Sequence, residues 1–322
     1  MFRFSRLNQS RSLKKIALII FLALILGRFM VAGVAKVLFN TQSSDGDESA
    51  YLALGLALRE DGLLTDGTRP PLYPLLLTPV AQRDWRYFTW AKLITLGLGA
   101  LTVLATFIIG RHLFNWETGL LAAFLLAANK EFHLRAATVY ADTLLVLLFV
   151  VAWYALINSF DKQRYSYIAG FLIGLAYLTK SSATLLLLAW GITALIYYRR
   201  RVVTQPQIWI IPVIFLVTSA PLLVYNWRNF GSPFYNFATS HVMWMDRWAE
   251  SQVEDVTDLP TLSSYFQTHT FADMIDRLRV GLRRLNPELM TTLIPSRTIE
   301  PAWLGPVALA ALVLSCGWLL IF

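Results

Sequence analysis

Long apolar runs separated by short polar clusters dominate the chain, at about 16–38, 88–110, 117–129, 143–158, 165–179, 181–198, 207–226 and 302–321. A helix that crosses a bilayer needs roughly 20 predominantly apolar residues. The pattern therefore predicts an all-α polytopic transmembrane helix bundle of about eight spans. The runs at 117–129, 143–158 and 165–179 are short for this, so one of them is expected to be tilted, broken or re-entrant. The first long interruption lies between the first two runs, Ser43 to Val80, and it predicts two further short helices. One is amphipathic, carrying Tyr51, Leu52, Leu54, Leu56 and Leu58 before Arg59-Glu60-Asp61-Gly62, and it is expected to lie in the membrane interface. The other, Leu72 to Val80, follows an Arg69-Pro70-Pro71 turn and is also too short to cross.

Composition sharpens this picture. Of 322 residues, 56% are hydrophobic and only 15% charged, and the mean hydropathy is +0.53, far from the soluble average. The net charge of +8 would suit nucleic acid, but Lys and Arg sit mainly at the ends of the apolar runs, where membrane orientation explains them. Arg3, Arg6, Arg11, Lys14 and Lys15 precede the first run with no acidic residue among them, which puts the N-terminus in the cytoplasm. Asp161-Lys-Gln-Arg164 and Arg199-Arg-Arg201 then fall on the same side, and the loops about 40–87 and 227–301 fall outside. The first run reads as a retained anchor. A cleaved leader ending near Gly33 and Ala35 is the competing reading. Cys316 is the single cysteine, so no disulfide framework or cysteine metal site exists within the chain.

The first interruption also concentrates the chemistry. Asp45 and Glu48 are spaced as a helix N-cap and its N3 partner, and Asp47 and Tyr51 fall four apart on one helical face. Carboxylates at a helix start complement its dipole, which is the bland reading of all three acids. Asp142 opens the fourth apolar run and Lys180 closes the fifth, where the positive-inside rule disfavours a lone lysine. Arg28 sits inside the first run and needs an ion pair, a cavity or a phosphate. His241-Val-Met-Trp-Met-Asp-Arg-Trp248 mixes aromatic and polar groups, as interfacial packing or a sugar-stacking surface does, and Arg277, Arg279, Arg283 and Arg284 read as a solvated basic face. No Gly-rich phosphate loop, HExxH or GxSxG occurs, and the four histidines, His112, His133, His241 and His269, are scattered.

Taken together, Asp47 and Tyr51, then Arg69-Pro-Pro-Leu72 with Tyr73-Pro74, Asp142, the GLAYLTK run ending at Lys180, and Asn226-Trp-Arg-Asn-Phe-Gly-Ser-Pro233 resemble the polytopic GT-C glycosyltransferases. Within that superfamily the resemblance is to the group containing protein O-mannosyltransferases and bacterial lipid A aminoarabinose transferases. It covers most of the chain through the seventh run. The family usually has more spans and a larger C-terminal part, so this chain resembles a short member or a fragment. Many members carry Glu-Pro where this chain has Asp142-Thr143.

The resemblance implies an enzyme of the inner or plasma membrane that moves a sugar, with inversion, from a polyprenyl-phosphate donor to a hydroxyl acceptor on the exterior face. It implies Asp47 as general base and Arg69 at the donor phosphate, with Tyr51, Asp142 and Lys180 contacting substrate; Glu48 is a further candidate for substrate, but with Asp45 it reads first as a structural acid at the helix start. A hydroxyl nucleophile needs a base within hydrogen-bond reach, and a departing phosphate needs cations rather than a proton. Room remains for a divalent cation such as magnesium or manganese on Asp47 and Asp142. A lipid-linked sugar flippase or transporter, or an inactive paralogue that binds lipid-linked sugar, is the alternative, because carboxylates and cations at membrane level also line transport paths.

Overall fold

The computed structural model describes residues 3–40, 46–253 and 258–293. Among them every regular element is helical. The chain forms two compact units, 1–234 and 235–322, and the boundary falls within the long loop expected at 227–301.

The first unit is built around α4 (Trp85–Leu113), which packs against α1 (Arg3–Phe39), α2 (Gly46–Asp61), α5 (Trp116–Ala128), α6 (Lys130–Ala136) and α7 (Asp142–Ser159). Next to α7 stands α8 (Arg164–Tyr177), and beyond it α10 (Pro206–Phe230), with α9 (Thr184–Tyr198) at the side. The short α3 (Leu72–Leu77) packs on α2. Local chemistry sets the breaks. Asn115 and Asn129 cap α5 and α6 by accepting from the Thr118 and Phe132 N–H groups, each at 2.8 Å. Pro206 opens α10, and Gly231, in the left-handed region at φ 72°, closes it.

Helices occupy all seven of the first predicted runs. Among the described residues, five stretches are long and apolar enough to cross a membrane, Lys14–Phe39, Trp85–Leu113, Asp142–Ser159, Ser181–Thr204 and Pro206–Phe230. The expectation of about eight spans is met only to that extent. At 13 and 14 residues, α5 and α8 fall short of a bilayer's thickness. The run at 302–321 and Cys316 lie outside the described residues.

The helices meet through small residues, as expected where hydrocarbon outside is as apolar as the side chains inside. Gly170 and Gly174 form one such stripe on α8. A Cβ at Gly170 would stand 2.7 Å from the Ile211 carbonyl oxygen, and one at Gly174 would stand 2.5 Å from Thr218 Cβ. At the α4–α5 turn the approach is backbone to backbone, since a Cβ on Gly119 would lie 2.5 Å from the Phe107 oxygen and 2.6 Å from the Arg111 nitrogen. Neither atom can swing aside as a side chain would. Gly119→Ala is therefore expected to force the helices apart at a cost of about 1–3 kcal/mol, read as a melting temperature several degrees lower in detergent.

The second unit contains α11 (Phe237–Ser240), α12 (Leu262–Thr268) and α13 (Phe271–Leu293). Arg277 departs from the solvated face expected of it. Its guanidinium donates to Asp246 Oδ1 at 3.1 Å and to the Met243 and Met245 carbonyls at 2.9 and 2.8 Å, and it lies over the Tyr265 ring. Arg279, Arg283 and Arg284 are exposed as expected. In the His241–Trp248 stretch, Trp244 packs on Tyr265 and His241 Nδ1 meets the Pro260 carbonyl, which is packing within the unit.

Candidate active site

Four sequence-distant segments converge at one end of the first unit's bundle, where α1 and α8 finish and α4 and α7 begin. The first turn of α2 carries Asp47, Glu48 and, one turn on, Tyr51. Glu48 is fully buried, and its Oε1 accepts the Val139 N–H at 2.9 Å, a structural place. That bond ties α2 to the segment that carries Tyr140 and leads into Asp142. A buried carboxylate is tolerated only with such partners. Asp45, its expected capping partner, lies outside the described residues.

Arg69 is held by a small self-built loop. Asp66 Oδ1 accepts from the Thr68 and Arg69 backbone N–H groups at 2.8 and 2.7 Å, and Thr65 Oγ1 accepts from Gly67 N–H at 3.1 Å. Gly67 adopts φ 83°, which a side chain would strain. With the loop so shaped, the Arg69 guanidinium spans two carboxylates, Nη1 to Asp66 Oδ2 at 2.7 Å and Nη2 to Asp47 Oδ1 at 2.6 Å. Burial works against the Arg69 charge, but the hydrogen bonds to Asp47 and Asp66 outweigh it and raise its pKa. Asp66 was not among the residues singled out from sequence; its signal is its place three before Arg69 in a Thr-Asp-Gly-Thr turn.

Beyond Pro70 and Pro71, the Leu72 N–H donates to the Leu178 carbonyl at 2.8 Å, fastening this loop to the end of α8. Just past that point Lys180 Nζ donates to Asp142 Oδ1 at 2.6 Å. Asp142 thus pairs with a residue 38 positions further along the chain and makes no helix-cap hydrogen bond. Underneath, Tyr73 is fully buried, bonds Thr95 Oγ1 at 2.6 Å, and meets Tyr51 edge-on at 5.2 Å. Burial, reinforced by the Asp142 carboxylate, pushes the Tyr51 phenol above its usual range, so it stays neutral and available as a donor.

The result is a cavity of about 540 Å³ lined by Asp47, Tyr51, Arg135, Tyr140, Asp142 and Lys180. It gathers Asp47, Tyr51, Asp142 and Lys180 from the sequence-based set, with Arg69 behind Asp47 and Glu48 in the supporting core. Arg135 and Tyr140 are additions. Arg135 lies over the Tyr140 ring at 4.8 Å and makes no ion pair among the described residues. Its place two turns before Asp142 in the same loop is the only hint the sequence offers. Arg28 lies elsewhere, against α5 and α6, without an ion pair among the described residues.

No group of three or more His, Cys, Asp or Glu side chains able to hold a metal occurs among the described residues. Asp47 and Asp142 share the cavity, yet each is already matched by a cation.

No curated protein matches the chain. Residues 69–225, just under half of it, match the family model for dolichyl-phosphate-mannose-protein mannosyltransferase. The match takes in Arg69, Arg135, Tyr140, Asp142 and Lys180, and begins after Asp47. Over that stretch the chain is similar to membrane glycosyltransferases of the GT-C type, and its apolar helices are those of a transmembrane protein.

Proposed function

We propose that this chain transfers a sugar from a polyprenyl-phosphate donor to a hydroxyl acceptor, with Asp47 as general base. The observation that carries the reading is the cavity in which a carboxylate held by an arginine, Asp47, faces a cluster of Arg135, Asp142 and Lys180. The Asp47 side chain is 59% exposed while Arg69 is 19% exposed, so the base is open and its support is shielded. Asp47 accepts the proton of the acceptor hydroxyl as its oxygen bonds to the anomeric carbon from the face opposite the phosphate. The bond from that carbon to the phosphate oxygen breaks, and the phosphate leaves as an anion. Cations at the leaving group stabilise the charge that grows on it.

Arg69 already spans Asp47 and Asp66, so in this reading it sets the direction of the base. Arg135 and Lys180 are the cations open to the phosphate, and Asp142 holds Lys180 until a donor arrives. No step runs through a metal. The cavity faces the exterior and the N-terminus the cytoplasm, with the basic clusters as support. With Cys316 replaced by Ser, a single cysteine at Gln82 is expected to react with an impermeant maleimide in intact spheroplasts, and one at Arg200 only after the membrane is permeabilised.

The deciding assay incubates the purified chain with a radiolabelled polyprenyl-phosphate sugar and follows donor hydrolysis or transfer. Turnover supports the reading. Binding or translocation of the donor without cleavage would replace it with a flippase or a lipid-binding protein. Arg135→Ala is expected to raise the KM for the donor roughly ten- to a hundredfold with a smaller loss of kcat, because a charge-assisted contact of about 1.5–3 kcal/mol is lost from a phosphate already charged before reaction. An unchanged KM would remove Arg135 from the donor site.

A further inference from the structure

A second hollow, also about 540 Å³, opens between α1, α5 and α6, apart from the carboxylate cavity. Phe21, Leu24 and Phe124 make one stretch of it apolar, and Arg28, Lys36, Lys130 and His133 line the rest. On α1 the two groups follow one another along a single face, Phe21 and Leu24 before Arg28 and Lys36. Phe21 and Leu24 are 48% and 62% exposed, so the hollow opens along the outer face of α1. That helix holds one of the membrane-length apolar stretches, Lys14–Phe39, which puts this face against lipid.

The charges are out of balance. Arg28, Lys36 and Lys130 make no ion pair or side-chain hydrogen bond among the described residues, and no carboxylate lines the hollow. Glu131 is the nearby acid, close enough to act on Lys36 but not in contact with it. His133 is already occupied, meeting the Phe29 carbonyl at 3.3 Å through Nε2. Arg28 sits eleven residues before the end of α1, roughly 16 Å along the axis. A guanidinium that deep is costly unless it pairs, reaches the interface or meets a counter-ion.

We propose that this hollow binds a membrane lipid with a phosphate headgroup, its hydrocarbon chain along Phe21, Leu24 and Phe124 and its phosphate between Arg28, Lys36 and Lys130. The arrangement fits an amphiphile: an apolar stretch on the exposed face of α1, with cations further along the same helix and on α6. Free phosphate would use the cations alone and gain nothing from the apolar stretch. A neighbouring transmembrane helix would have to bring carboxylates of its own. The site does not depend on the reaction proposed for Asp47.

The test uses the full chain in nanodiscs of phosphatidylcholine with and without one-fifth phosphatidylglycerol, followed by native mass spectrometry of the lipids retained. Phosphatidylglycerol is expected to be retained preferentially, and millimolar inorganic phosphate is expected not to displace it. Arg28→Gln combined with Lys36→Gln and Lys130→Gln should cut retention at least tenfold, and Arg28→Lys alone should keep most of it. Ala32→Phe, which fills the hollow and leaves every charge, should also abolish retention, and covers the case in which the triple variant fails to fold. Asp47→Asn should retain lipid normally. Equal retention of phosphatidylcholine, displacement by free phosphate, undiminished retention in the triple or Ala32→Phe variants, or a stable dimer through this face would each overturn the proposal.

Discussion

Asp47→Asn is expected to lower sugar transfer by about a hundredfold or more while leaving donor binding and thermal stability near those of the unaltered protein. An asparagine oxygen still accepts from Arg69 Nη2, now at 2.6 Å from Asp47 Oδ1, so the loop geometry survives. What is lost is the group that takes the hydroxyl proton. A purely structural aspartate at the start of α2 predicts something else, a stability change of about 0.3–1 kcal/mol from the helix dipole with little effect on rate. Initial rates with labelled donor, alongside a separate measurement of donor affinity and melting temperature, distinguish the two. Near-normal turnover would end the assignment of Asp47 as base.

Arg69→Ala is expected to reduce turnover by roughly ten- to a hundredfold, since a base displaced by even 1 Å loses much of its advantage. It also leaves Asp47 and Asp66 facing each other without the guanidinium that spans them. Arg69→Lys should recover part of the loss, because an ammonium supplies charge without the two-pronged fork. The sharper measurement is the double variant. If Arg69 acts by directing Asp47, Asp47→Asn with Arg69→Ala should be scarcely slower than Asp47→Asn alone. Fully additive losses would instead put Arg69 directly on the donor phosphate, the role the family resemblance implies for it.

Most of the helical framework was legible along the chain, because an apolar run of membrane length has few other ways to satisfy its backbone. Helices stand at all seven of the first predicted runs, and the three flagged as short include α5 and α8. Whether a short run crosses was not legible. Length alone separates α7, with 18 residues, from α8, with 14, only slightly, and packing against neighbours sets the rest.

The candidate site divides in the same way. Spacing put Asp47 and Tyr51 on one face of a helix, since three and four residues make one helical turn, and both do line the cavity. The Pro-Pro turn after Arg69 marked a residue with a fixed direction, for proline sets its own backbone angle. By itself, then, the sequence determined that the chain is an apolar helical bundle and that its chemistry gathers around the first interruption. Only the tertiary structure decided the partners: Arg69 with both Asp47 and Asp66, Lys180 with Asp142, and Glu48 with the Val139 backbone. Those pairings join residues up to 91 positions apart. Local spacing carries no information across such distances, because partners there are chosen by how whole helices pack. Arg135 reaches Tyr140 through the local turn between α6 and α7, and the packing of whole helices brings both to Asp47 and Lys180.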